Sequence, residues 1–484
     1  MVTAVDRQAG VHTSLPRTTR LGTLGLSDYR PLLAALPVGA AIVGGIAFNV
    51  APLMTGASLV AFVAAVISPP VGLAILALMT PLKSPPAIPA PGFNALLVGA
   101  TLLGCVYRLP IDRPALRPSA PLLLLLAFVL YVSVQQVPEL LSGYSGTDGH
   151  LVGYLFEQVL TLAGLVVAAA YVLRSRSPGP FVGAALLSAF VAAVLAIATF
   201  GHPAAGPLGN LLGASDAIAR NVGPFGDPNY FGLFEATGIA AALAWMVVVR
   251  SPGFRLLLLG TSIVLAFAYA TTLSRGAALA LVVGLIALAF TRSRRTGLLA
   301  IGAAVAVTAV VFPLFLQTRL IADAGTTSAQ AYASLAESDQ SRIAAGLAGP
   351  QMFASAPIFG IGFGQFSFMS AQYVGFSIES HDWYVNVLAE QGIVGIALWI
   401  PMLAAVAVTL NRTLCSARSV GIAVFVTYMV GSAFLEPPNS VQTSAFTVIV
   451  VVAALVGNWS DVGADRPWHG QNRGPAMEAR ALDT

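Results

Sequence analysis

The sequence predicts an all-α protein: a polytopic transmembrane helical bundle of about twelve to fourteen spans with a large outward-facing helical loop. Three observations predict it. Of 484 residues, 57% are hydrophobic and 9% charged, where soluble domains carry about 25% charged residues. Apolar runs near the length needed to cross a bilayer recur along the chain. Basic residues gather in alternate short loops.

In chain order, the polar, irregular segment 1–30 carries Arg7, Arg17, Arg20 and Arg30 and has no short apolar core of a cleavable signal, so it reads as a cytoplasmic tail. Apolar runs at 32–49, 51–68, 70–82 and 92–107 lead to Arg108, Arg113 and Arg117. Runs at 119–137 and 151–173 lead to Arg174 and Arg176; runs at 181–199 and 229–249 lead to Arg250 and Arg255. Runs at 254–272 and 276–290 lead to Arg292, Arg294 and Arg295; 297–315 and 384–410 lead to Arg412 and Arg418; 419–435 and 441–457 complete the series. The shortest runs are of a length that suits re-entrant segments. The helical domain is thus 31–458, followed by a polar Gly/Pro-containing tail, 459–484, expected to be disordered and cytoplasmic. With fourteen spans, every basic cluster falls on one side together with both termini, and that side is the cytoplasm.

The net charge of +4 is spread over short loops, which fits membrane orientation and not nucleic-acid binding. Cys105 and Cys415 stand near predicted helix ends and form no disulfide framework. No His/Cys/Asp/Glu group has metal-ligand spacing, so neither a metal nor a cofactor is expected.

Three loops face outward: 138–150, 200–228 and 316–383. The third is too long for a simple connector. Asp339 is placed to cap a helix there, with Ile343, Leu347 and Met352 as its packed face. The Gly360-Ile361-Gly362-Phe363-Gly364 stretch follows no strand and faces outward, so it reads as a tight turn returning the loop to the membrane, not as a nucleotide loop.

Against the positive-inside pattern, Lys83, Arg220, Arg275, Arg319 and Arg342 fall on the outer side. The planar fork of arginine suits phosphate; the competing role is interfacial snorkelling, or pairing with Asp227, Asp323 or Asp339. Arg275 lies in a turn so tight that its guanidinium sits at or inside the membrane boundary, where an idle charge is costly. Glu235 and Glu390 lie within apolar runs, either as functional carboxylates or as structural partners of arginine; Glu157 is given no role. His381, in Glu379-Ser380-His381-Asp382-Trp383-Tyr384, is a proton acceptor at the mouth of the bundle or a solvated loop residue.

Four segments together resemble the O-antigen ligase and polymerase superfamily. They are Arg220 through Gly226-Asp227-Pro228-Asn229; Leu273-Ser274-Arg275-Gly276; Arg342 followed by Ala356-Pro357-Ile358-Phe359-Gly360-Ile361-Gly362-Phe363-Gly364-Gln365-Phe366; and Ser380-His381 followed by Leu388-Ala389-Glu390-Gln391-Gly392-Ile393-Val394-Gly395. The resemblance covers roughly residues 200–410. It implies a glycosyltransferase of the plasma (inner) membrane that uses a lipid-diphosphate-linked glycan, usually undecaprenyl-linked, at the extracytoplasmic face. It implies that Arg220, Arg275 and Arg342 bind the donor diphosphate and that His381 is the general base, with Asn229, Glu390 and Arg319 as supporting candidates. Arg319 matches none of the four segments, and Asp382 stands where members often carry a small or amide residue. The acceptor is a glycan, a lipid or a protein, so ligase and polymerase both stay open. The rivals are a solute transporter, which would also have broken helices and buried charges, and a non-catalytic partner in glycan export.

Overall fold

A computed structural model describes residues 26–81, 92–112, 119–137, 147–174, 176–200, 220–305, 328–435, 441–457 and 459. Among these there are only helices and their connections. They are α1 (Leu26–Ala47), α2 (Ala51–Ile67), α3 (Pro69–Met79), α4 (Phe93–Asp112), α5 (Ala120–Gln135), α6 (Thr147–Leu173), α7 (Gly179–Thr199), α8 (Pro228–Val248), α9 (Pro252–Thr272), α10 (Arg275–Phe290), α11 (Ser328–Ser355), α12 (Phe366–Val374), α13 (Trp383–Arg412), α14 (Cys415–Gly431) and α15 (Val441–Val456). Residues 294–305 are also helical. Seven helices are long and apolar enough to cross a bilayer, and six more are apolar but shorter, α3 shortest among them. The expected polytopic bundle is therefore what the chain forms. The tail 1–25, Lys83, the turn 138–146, the stretch 201–219, Arg319 and nearly all of 458–484 lie outside the described residues.

Local chemistry sets four of the helix starts. Asp227, Ser251, Ser274 and Asp382 each accept a backbone N–H of the following first turn, the side-chain capping that satisfies otherwise unpaired donors. Proline at the first position of α8 and α9 adds a preset φ.

Helix α8 is the centre of the bundle, packed by α7, α9, α10, α14 and α15. Its close neighbours meet small residues: Gly238 faces Leu265 and Ala189, and Gly431 of α14 receives Leu233. Small residues let helix backbones approach where lipid supplies no hydrophobic drive. The outer faces show large apolar side chains such as Leu59, Val63, Leu257, Ile263 and Phe267, as a lipid-facing surface must.

Contacts between helix ends sort the charges onto two opposite faces. On one, Arg108 of α4 donates to the carbonyl of Ile67 at the end of α2 (2.8 Å). On that face too, Trp245 packs against Gly179, Gly457 meets Pro178, Thr291 bonds Ser419, and Leu410 packs on Gly421. These contacts gather the helix ends beside Arg174, Arg250, Arg255, Arg292, Arg294, Arg412 and Arg418. The opposite face holds the starts of α8, α10, α13 and α15, with Phe234 against Phe446, and with them Arg220, Arg275 and His381.

Two sequence expectations are corrected here. The helix in the long loop, α11, contains Asp339 instead of beginning after it. Its packed face is Ala345, Ala348 and Met352, whereas Ile343 and Leu347 are 64% and 58% exposed. Alanines and Gly349 win that face because Gly349 lies directly on Val385 of α13, a closeness no branched side chain permits. The second correction concerns the run 384–410, read as one helix: α13 is interrupted at Gly392, with φ 62° and ψ −158°.

Candidate functional site

Arg220 and the Leu273-Ser274-Arg275-Gly276 turn are knotted together. Arg220 Nε donates to the carbonyl of Thr272 (3.0 Å), and its Nη2 donates to Asn229 Oδ1 (3.1 Å). The same Asn229 oxygen accepts from Ser274 Oγ (3.1 Å). Asp227 is occupied as the cap of α8, its Oδ1 accepting from Asn229 N (2.6 Å) and Tyr230 N (3.0 Å). The Gly-Asp-Pro-Asn segment and the Ser-Arg-Gly turn, far apart in sequence, thus form one polar unit at the mouth of the bundle. Arg275 is the first residue of α10 and is half-buried, like Arg220. Arg275 adjoins the N-terminus of α10, whose dipole adds to the attraction for an anion.

His381 lies in a strained turn. Its φ is +52°, one of three non-glycine residues with positive φ among those described; Leu273, beside Ser274, is another. Non-glycine residues in this region are uncommon, and such strained positions cluster at active sites and switch regions. Ser380 closes the turn: its Oγ accepts from Asp382 N (3.2 Å) and donates to the Asp382 carbonyl (3.0 Å). Asp382 caps α13 through Tyr384 N and Val385 N. Burial pushes the Asp382 carboxyl above its ordinary value, and the two backbone N–H bonds hold the rise back.

The turn after α14 joins these two units. Trp383 N donates to the carbonyls of Ser432 (2.9 Å) and Leu435 (3.1 Å). Phe434, between them, lies against Gly276, where a Cβ would fall 2.7 Å from its own Cβ. Arg342 joins from α11: Ala345, three residues on, packs in one cluster with Ile378, three residues before His381. The structure therefore brings Arg220, Asn229, Arg275, Arg342 and His381 to one end of the bundle.

Glu390 is 3% exposed, and its carboxylate is a brace for the glycine loop. Oε2 accepts from Gly364 N and Oε1 from Phe366 N, both at 2.9 Å. Around it the break in α13 is filled. An unbroken helix would pair Ile393 N with Ala389 O and Val394 N with Glu390 O. Here Ala389 O and Glu390 O accept from Ile361 N (3.0 Å) and Gly362 N (3.1 Å), while Ile393 N and Val394 N donate to Pro357 O (2.9 Å) and Ile358 O (3.2 Å). Helix α5 clamps the joint. Tyr131 Oη lies 2.8 Å from both Phe359 O and Gln391 O; Gln135 Nε2 donates to Phe359 O (2.6 Å) and Glu390 O (3.2 Å); Gln136 Nε2 reaches Phe363 O (3.2 Å). Sequence reasoning missed Tyr131, Gln135 and Gln136, although three polar residues closing an apolar run were a visible signal. Glu235, the other carboxylate singled out, is fully buried in α8, and neither oxygen has a hydrogen-bond partner among the described residues.

An apolar cavity of about 270 Å³ opens inside α5, α6, α13, α14 and α15. Trp383 and Ser444 line it at the His381 end, and Ser119, Thr409 and Val456 at the opposite end. Among the described residues no His/Cys/Asp/Glu group is arranged to hold a metal ion.

A family model described as O-Antigen ligase matches residues 260–400. Over these residues the chain is similar to that family, which supports the resemblance read from the sequence. The match includes Arg275, Arg342, His381 and Glu390 but not the Arg220–Asn229 segment, which is bonded to it through Arg220 to Thr272 and Asn229 to Ser274. A comparison with curated proteins gives no match. The match and the apolar helices support a multi-pass membrane protein with a ligase- or glycosyltransferase-type, glycan-handling function.

Proposed function

We propose that the protein transfers a glycan from a polyprenyl-type lipid diphosphate to an acceptor hydroxyl at the extracytoplasmic membrane face. The observation that carries this reading is the apolar cavity, lined at one end by Trp383, two residues from His381. A polar cluster of arginines and histidine over an apolar shaft fits an amphiphile with an anionic head. The cavity lining runs from Trp383 at the His381 end to Thr409 at the other, so an apolar tail would lie along the bundle.

In this reading Arg220, Arg275 and Arg342 hold the diphosphate and stabilise the charge that grows as the glycosyl–phosphate bond breaks. The acceptor oxygen attacks the anomeric carbon, its proton passes to the His381 imidazole, and the lipid diphosphate leaves with inversion in one displacement. The basic clusters on the opposite face support a cytoplasmic orientation for that face. A transporter would share the broken helix, but the groups freed at Gly392 are taken up by the 357–362 loop and by α5, not turned toward a solute path.

The test is His381→Ala, with membrane level verified, read by surface polysaccharide. Loss of full-length surface glycan is expected, and unchanged length and attachment would sink the base assignment. Short glycan on the variant marks a polymerase; full-length glycan stranded on its lipid carrier marks a ligase.

A further inference from the structure

We propose that residues 343–366 form a re-entrant hairpin that dips from the outer face into the outer leaflet, with lipid acyl chains as the partner of its exposed apolar side.

Composition is the first observation. Between Arg342 and Glu379 the chain runs 36 residues, 343–378, without one charged side chain. A water-facing cap of that length would carry about nine at ordinary frequency. The hydropathy is too low and the helix too interrupted for a full crossing, and α11 is not among the candidate spans.

Register is the second. Gly349 of α11 lies on Val385 of α13, and seven residues later in each chain Ala356–Pro357 stands at Gly392–Ile393. The two segments therefore descend side by side in the same direction, about 10 Å over seven residues. The chain then turns back through Gly360, Gly362 and Gly364, all at positive φ, and climbs to Phe366, whose ring is again beside Gly349. The tip at Ile358–Phe359 sits at the level of Gly392, nine residues into α13 and so about 14 Å below its start.

The third is what the tip shows and what it hides. Ile343, Leu347, Ile358 and Phe359 are 58–64% exposed, continuous with Ile393 and Ile400 on the lipid-facing side of α13. Yet the irregular backbone of the tip is bonded internally, by the break in α13 and by Tyr131, Gln135 and Gln136. Apolar side chains outward and these backbone groups bonded inward fit the condition for non-helical backbone at membrane depth; a loop in water needs neither.

Single cysteines at Leu347 and Phe359, in a Cys105→Ala, Cys415→Ser background of the full chain in proteoliposomes, test this. Controls are the exposed positions Gln372 and Glu379. Bimane on the first pair should be quenched by phosphatidylcholine brominated on its acyl chains, and a charged maleimide should react there roughly tenfold more slowly than at the controls. Fast reaction without quenching places the hairpin in water and overturns the proposal. Slow reaction without quenching means a protein surface, such as a second copy, covers it, and overturns it equally.

Discussion

Gly360 and Gly392 meet backbone to backbone. A Cβ on Gly392 would fall 2.6 Å from Gly360 N and 2.6 Å from Ile358 O, and one on Gly360 would collide with the Glu390 carbonyl. Both residues have positive φ. The loop can replace the missing helical hydrogen bonds of α13 only because neither residue carries a side chain.

Gly392→Ala and Gly360→Ala should each cost about 3 kcal/mol or more, combining a left-handed conformation with a backbone clash. Gly346→Ala on α11 is the control. It has open space around it and should be neutral or stabilising by up to about 1 kcal/mol. Thermal unfolding in detergent reads all three.

Glu390→Gln should destabilise the glycine loop by about 1.5–3 kcal/mol, since an amide can accept from only one of Gly364 N and Phe366 N and turns a donor toward the other. Protease sensitivity within 356–366 reports the loosening. A variant as stable and protease-resistant as the parent would show that the carboxylate is not the brace.

Asp382 links stability to pH. Its folded value is raised, so the folded state holds the proton more tightly than the unfolded chain. The contribution is present below the ordinary value of 3.8 and fades as pH rises through the raised one. Asp382→Asn keeps an oxygen to cap α13 and removes the charge, so its melting temperature should lose that slope in the weakly acid range. Asp382→Ala, which loses the cap, should cost about 1 kcal/mol at every pH.

Ser274→Ala and Arg275→Lys separate scaffold from site. The first removes a helix cap and a bond to Asn229 and should cost about 1 kcal/mol of stability. The second leaves the fold intact but loses paired contact to a diphosphate, so glycan transfer should drop at least about tenfold at unchanged melting temperature. A lysine variant with full activity would argue against bidentate binding.

Which parts of this were legible in the sequence follows from the physics of each residue. An arginine in a two-span turn stands out because lipid penalises charge, so Arg275 was found and its neighbours followed. The bundle itself was readable from apolar run length. The break in α13 was not, because glycine is common inside membrane helices and the apolar run resumes directly after it with Ile393-Val394. The face of α11 was misread for a related reason: large apolar residues mark the buried side in water, whereas here Ala345, Ala348 and Gly349 pack inward and Ile343 and Leu347 face out. Glu390 was seen as a buried charge, but its partners are backbone N–H groups that no residue pattern announces.

The strain at His381 gives the sharpest separation of fold from function. At φ +52° a β-branched side chain is far less tolerated than histidine, and glycine is at ease. His381→Val should lose about 1–2 kcal/mol. His381→Gly should stay within about 1 kcal/mol of the parent, relief of strain offsetting the extra freedom of the unfolded chain. Both should lack glycan transfer, because neither retains an imidazole to accept the proton. Melting temperature therefore orders the variants as parent and glycine above valine, while activity divides them as parent against both. Equal melting temperatures for the glycine and valine variants would mean the turn stores no strain. Transfer at the parental rate by the glycine variant would remove His381 from the chemistry while leaving the fold untouched.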